Sequence, residues 1–151
     1  MSDTISIIET VAGDLLGKIE IPNQVNVTEA DGVFLVNIET EESGILIGHH
    51  GKNLESLQIM LGLITAKKLD NWVRILVEVG DYRKRREEQL LQMAKNITSQ
   101  VIESGQAVEM PYLSPNERRV VHMSLSDHPQ VTTESVGVGR DRTLIVKPRA
   151  N

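Results

Sequence analysis

The sequence predicts an α+β chain made of two small domains. Two observations carry this reading. Stretches with apolar residues at steps of three and four are interleaved with short alternating or apolar runs, the signatures of helices and strands respectively. A turn at Gly80-Asp81 then separates a first set of elements (1–80) from a second (81–151). The length of 151 residues holds one ordinary domain or two very small ones. A hydrophobic content of 40% can fill a core, but 3% aromatics makes that core aliphatic.

In the first domain, Ile5, Ile8, Ala12, Leu15 and Ile19 mark one face of a helix over 4–19, with Asp3 as its expected N-cap. The segment "IPN" (21–23) ends it. "QVNVTEADGVFLVNIET" reads as two strands around a turn at Ala30-Asp31-Gly32. After the acidic run 39–43 come a short apolar helix and the stretch "GILIGHHGKN" (44–53). Leu54, Leu57, Leu61 and Ile64 carry a helix on to Lys67 or Lys68, and "WVRILVEV" (72–79) is a strand.

In the second domain, a helix begins in "YRKRREE" (82–88), buries Leu90, Ala94, Ile97 and Val101, and stops at Gly105. A strand is expected over 107–113. Ser114, Pro115 and Glu117 form the N-terminal signature of the next helix: a capping hydroxyl, a proline at the first helical position and the acid of a capping box. Pro129 is its expected end. Two strands, 131–139 and 142–148, close the chain around Gly139-Arg140-Asp141.

Several function classes drop out. The chain has no cysteine, so disulfides and thiolate metal sites are excluded. No apolar run approaches the ~18 residues of a membrane span, and the N-terminus has no basic stretch ahead of an apolar one. A cytoplasmic location is the expectation. The net charge of −5 hides a strong asymmetry. Residues 1–43 carry −8, residues 44–86 carry +4 and residues 87–151 carry −1. Salt screens charges beyond about 10 Å, so the local basic middle third, not the total, decides what polyanion it can attract.

That middle third contains Gly48-His49-His50-Gly51-Lys52. A Walker A loop needs four residues between its glycines and a Ser or Thr after its lysine; here two residues intervene and Asn53 follows. Adjacent His49 and His50 cannot converge on one metal ion, and His122 and His128 lie far away in sequence. A turn between two helices remains. Gly48 lets the first helix stop, Gly51 lets the backbone run close to a ligand, and the next helix points its free N–H groups at that spot. This is the pattern of a KH backbone clamp; a corner without a ligand is the plainer alternative.

The order of elements through residue 79 resembles a type II KH domain (α-β-β-α-α-β) with "IGHHG" as its loop. "NERRVVHMSL" places Arg118 and His122 as Arg-x-x-x-His and resembles a small single-stranded nucleic-acid-binding domain, the RxxxH domain. A KH domain followed directly by an RxxxH domain resembles the bacterial Jag (SpoIIIJ-associated protein) family. The likeness runs along almost the whole chain. It departs from the family in two respects. Family members commonly carry a further N-terminal domain, and their loop usually holds Lys or Arg where this chain has two histidines.

The resemblance implies binding of single-stranded RNA, with single-stranded DNA as a second polymer, and no cofactor. Gly48 to Lys52 would hold the sugar–phosphate backbone, and an apolar groove between the helices and the 33–38 strand would receive bases. Arg118 and His122 share a helix face, with Arg119 beside them. Guanidinium groups contact phosphate or stack on bases, and an imidazole can stack or donate a hydrogen bond. Lys67, Lys68, Arg83, Lys84, Arg85, Arg86, Arg140 and Arg142, with Lys147, are the supporting basic residues. Histidine gains charge between about pH 8 and 5, so the loop predicts tighter RNA binding as pH falls from about 7.5 to 6. The implied role is post-transcriptional or cell-envelope regulation, with a small stand-alone KH protein as partner. No nucleophile–base pair, carboxylate dyad or metal set stands at useful spacing, so an enzyme is not expected. The rival reading is a protein-interaction scaffold with a degenerate KH loop, motivated by the acidic front third.

Overall fold

A computed structural model describes residues 2–150. The chain forms two compact units that divide between Tyr82 and Arg83. The first runs α1 (Ser2–Lys18), β1 (Gln24–Ala30), β2 (Val33–Glu39), α2 (Ser43–Ile47), α3 (Lys52–Leu69) and β3 (Arg74–Val79). This is the α-β-β-α-α-β order. Asp3 lies inside the first turn of α1 rather than capping it, because the helix already includes Ser2.

The three strands form one sheet in the order β1-β2-β3, β1 antiparallel and β3 parallel to central β2. Asp31 (φ 52°) and Gly32 (φ 77°) make the two-residue β1–β2 loop. Positive φ at both loop residues is the hairpin geometry that matches strand twist, and Asp-Gly suits it. One face of the sheet buries Val27, Phe34, Val36, Ile38, Ile75, Val77 and Val79 against Ile8, Leu16, Leu54 and Leu61 of the helices. Val36 is the common pairing partner of Val27 and Val77. On the two edge strands, the Val27 N–H donates to Glu9 Oε1 at 3.5 Å and the Val77 N–H to Gln58 Oε1 at 2.9 Å. The helices thus reach over both edges and close backbone donors that would otherwise invite a further strand.

The second unit contains α4, which begins at Tyr82 and ends at Ser104, β4 (Val108–Glu109), α5 (Pro115–Leu125), β5 (Val131–Val136) and β6 (Thr143–Pro148). Its sheet is antiparallel in the order β4-β6-β5. Leu90, Ala94 and Val101 of α4 pack with Met110, Leu113, Val121, Leu125, Val131, Leu144 and Val146. Gly105 (φ 69°) ends α4, its N–H bonding Val101 O at 2.8 Å. The expected 107–113 strand shortens to two residues, although the Met110 N–H still reaches Leu144 O. The helix begun by Ser114 stops at Leu125, earlier than Pro129, because Ser126 bonds back to Met123 O and the His128 N–H to Leu125 O. Strand β5 stops at Val136 because Gly137 turns to φ 94°.

Candidate nucleic-acid interface

The loop between α2 and α3 is shaped by packing on both of its glycines. Gly48 takes φ 69° and ψ −177°, a conformation closed to most L residues. A β-carbon there would stand 2.6 Å from Asn53 Cγ, and Asn53 is fixed because its Nδ2 donates to Ile45 O at 2.8 Å. Gly51 takes φ 78° and is buried; a β-carbon would stand 3.0 Å from Tyr82 Cε1. Between them His50 adopts the left-handed region at φ 55°, which costs a non-glycine residue about 1–2 kcal/mol. The rings of His49 and His50 lie 3.8 Å apart, tilted by 55°. His49 is exposed and His50 half-buried. Gly51 caps α3 without a side chain, so the first turn opens toward the loop, as anion binding at a helix start requires.

The candidate cations do not gather at this loop. Lys52 adjoins it. Lys67 and Lys68 sit in the last turn of α3, where they suit the helix dipole. They are about 22 Å from Lys52 along the helix axis. The apolar groove bordering the loop also differs from expectation. It is lined by Leu15, Ile19 and Ile21 near the end of α1, by Ile45 and Leu46 of α2, and by Leu57 and Met60 of α3. It draws nothing from the 33–38 strand, because the inner side chains of that strand are sealed beneath the helices. Glu20 and Glu42 stand on its rim and disfavour a polyanion there.

In the second unit the Arg-x-x-x-His pair separates into two tasks. Arg118 is half-buried, and its Nη1 donates to Leu113 O at 2.8 Å and to Arg142 O at 3.5 Å. Its guanidinium therefore ties the start of α5 to the loop before β6. His122 is exposed, its Nδ1 paired with the Thr133 hydroxyl of β5 at 2.5 Å, which orients the ring across the helix–strand boundary. Arg119 is exposed beside them. Arg142 Nη1 bonds Gly137 O at 2.9 Å, inside a 137–142 loop so tight that a β-carbon on Gly137 would meet Asp141 O at 2.7 Å. Arg140 and Val138 are exposed on that loop, Val138 at 85%. Lys147 pairs with Glu134 at 2.7 Å, and that bond and charge hold the Glu134 carboxyl below its usual pKa.

The basic run at the start of α4 is likewise divided. Lys84 and Arg85 are exposed and Arg83 is half-buried. Arg86 is engaged within the fold: Nε and Nη2 donate to Glu117 Oε1 and Oε2 at 3.0 and 3.3 Å, both side chains being 12% exposed. Glu117 simultaneously accepts from the Ser114 N–H, while Ser114 Oγ accepts from the Glu117 N–H. One carboxylate thus closes the capping box and neutralises the arginine. Sequence reasoning missed Asn53, Tyr82 and Thr133 as supporting groups. Thr133 lies on a strand and Tyr82 31 positions from Gly51, so no local signal marks either. Asn53, two residues past Gly51, was the one readable hint.

The fold and these two sites define a KH domain joined to an Arg-x-x-x-His domain. Residues 6–77 match the KhpA/KhpB KH domain and residues 88–148 match the RxxxH domain. The chain belongs to the KhpB (Jag) family. It is 32% identical over 142 residues, 94% of its own length and 63% of the relative's, to a Clostridium symbiosum protein named RNA-binding protein KhpB. It is 27% identical to the Bacillus subtilis protein of that name, covering 92% of this chain and 66% of the relative. It is 26% identical to a Streptococcus pneumoniae one, covering 96% and 43%. The chain spans less than two thirds of the length of these curated relatives.

Proposed function

We propose that this protein binds single-stranded RNA through two surfaces and carries out no chemistry on it. The observation that carries this reading is the loop from Gly48 to Gly51. Both glycines hold positive φ under tight neighbours, and the loop opens onto the uncapped start of an 18-residue helix. Such a loop can accept a sugar–phosphate backbone at van der Waals distance, and KH loops clamp about four nucleotides this way. The name carried by the relatives supports the ligand class.

The second surface consists of His122, Arg119, Arg140 and the exposed tip at Val138. Arg118 and Arg142 serve it by fixing α5 and the 137–142 loop. Two weak sites on one chain raise avidity through effective concentration. Lys84, Arg85, Lys67 and Lys68 supply long-range attraction rather than loop contacts. A bacterial post-transcriptional or cell-envelope regulatory role, in the cytoplasm, is the biological setting that fits this chemistry. Among the described residues no helix is long and apolar enough to cross a membrane.

The test is fluorescence anisotropy of a labelled single-stranded RNA pool across salt concentration. The wild type is compared with His49→Glu/Lys52→Glu and with Arg119→Ala/His122→Ala, which alter exposed side chains. Weakening by both, with a shallower salt slope for the first, is expected. Wild-type protein without salt-dependent binding would refute the reading in favour of a protein-interaction scaffold, to which the acid-rimmed groove of Ile19, Ile45 and Met60 is suited.

A further inference from the structure

Helix α3 is apolar on two opposite faces. Its inner face buries Leu54, Leu57 and Leu61 against the sheet. Its outer face leaves Ile59 61% exposed, Leu63 53% and Met60 46%. The single tryptophan, Trp72, folds back over this helix: a β-carbon on Gly62 would stand 3.8 Å from its Cη2, yet the residue is 66% exposed. A helix that is apolar all round belongs in contact on both sides, and contiguous exposed apolar side chains of this size mark an association surface.

The pattern of the outer face names its occupant. Residues Lys52, Ser56, Ile59, Leu63, Ala66 and Asp70 recur at alternating steps of four and three, the spacing of a helix–helix seam. Laid antiparallel on a copy of itself about a two-fold axis, this seam is self-complementary. Ile59 meets Leu63 of the second copy and Leu63 meets Ile59. Ser56 meets Ala66, a layer of two small side chains. Lys52 at one end meets Asp70 at the other. Met60 flanks the seam on one side and Trp72, lying over Gly62, on the other.

The helix dipole supplies an independent argument. Lys52 stands at the N-terminal end of α3 and Asp70 at its C-cap, each at the end where the macrodipole disfavours its charge. In the antiparallel pair each sits beside the opposite end of the other helix, where that charge is favoured. We propose that α3 is the interface of a symmetric homodimer, in which two copies pack antiparallel through Ile59 and Leu63 and are held in register by Lys52 and Asp70. Isologous two-fold pairing of this kind requires a patch complementary to itself, which this stripe is.

The experiment is sedimentation equilibrium of the full chain without RNA, so its outcome does not depend on the RNA-binding reading. Association to twice the chain mass is expected, with a blue shift of Trp72 emission over the same concentration range. Leu63→Asp, which buries an unpaired carboxylate at the seam, should weaken association by about 100-fold or more. Lys52→Asp and Asp70→Lys should each weaken self-association, since like charges then meet at the ends. Mixing these two variants restores opposite charges at both ends and should yield a heterodimer, which misfolded chains could not do. A monomer at every concentration with unshifted Trp72 emission overturns the proposal. So does a dimer indifferent to Leu63→Asp, or a mixture that fails to associate.

Discussion

The two candidate surfaces of this molecule are built in opposite ways. In the first unit the site is made by backbone: two glycines, a strained histidine and a helix start, with Asn53 and Tyr82 as the walls. Its cationic side chains are few and dispersed. In the second unit the site is made by side chains, and most of its arginines hold the fold. Arg86 neutralises Glu117, Arg118 and Arg142 tie down carbonyls, and Arg149 bonds Ser126, His128 and Val131 carbonyls. A buried guanidinium with fixed acceptors is a structural member; an exposed one beside it is free to meet a phosphate. The same residue type therefore carries different work within a few positions of the chain.

Breaking the second unit should show the largest effect. Arg86→Ala leaves the Glu117 carboxylate largely buried without its cation and is expected to destabilise this unit by about 3 kcal/mol. Urea unfolding followed by hydrogen exchange should register the loss in residues 83–150 and spare the first unit. Next is Arg118→Ala, which removes a donor from two carbonyls and should cost about 1–3 kcal/mol. If Arg118 were chiefly an RNA contact, affinity would fall with no change in stability, and the contrast drawn between Arg118 and Arg119 would fail.

The first unit should respond through its loop. Gly51→Ala places a methyl group against Tyr82 at a positive φ and should cost about 1–2 kcal/mol while weakening RNA binding. Tyr82→Ala in the same background relieves the contact, so recovery of stability there, read by thermal melting, sharpens the assignment of Tyr82 as the wall. His122→Ala should leave stability within about 0.5 kcal/mol, as for most exposed sites. RNA affinity should fall roughly five- to tenfold, at the lower end of a stacking or hydrogen-bond contact.

The smallest effect concerns pH. Lys147 lowers the Glu134 pKa in the folded state, so this pair stabilises the fold above the ordinary carboxylate range and the contribution is lost as pH falls through the depressed value. Glu134→Gln should flatten that acid limb slightly. A steeper limb in the variant would contradict the assignment.

The legible parts of this protein are those governed by neighbours in the chain. Ser114, Pro115 and Glu117 announced a capping box, and the structure has both of its hydrogen bonds. Asp31-Gly32 announced the hairpin turn. The element order and the paired domains followed from periodicity and from the Gly48–Gly51 and Arg118–His122 spacings. Asp3 misled because an acid in a first turn and an acid at an N-cap look alike in sequence. The 107–113 stretch misled because apolar content marks burial, and Met110 and Leu113 are buried without extending the ladder beyond two residues.

By itself the sequence determined the helices, the strands, the two glycines and the uneven charge, because each rests on interactions within about four residues. Only the tertiary structure decided which cations are available. Arg86 finds Glu117 at a separation of 31 residues, Arg118 finds the Arg142 carbonyl at 24 and His122 finds Thr133 at 11. A guanidinium, seen in a sequence, has no marked partner. Folding assigns one by bringing a buried acceptor within reach, since leaving either group unpaired in the interior costs more than ordering the side chain.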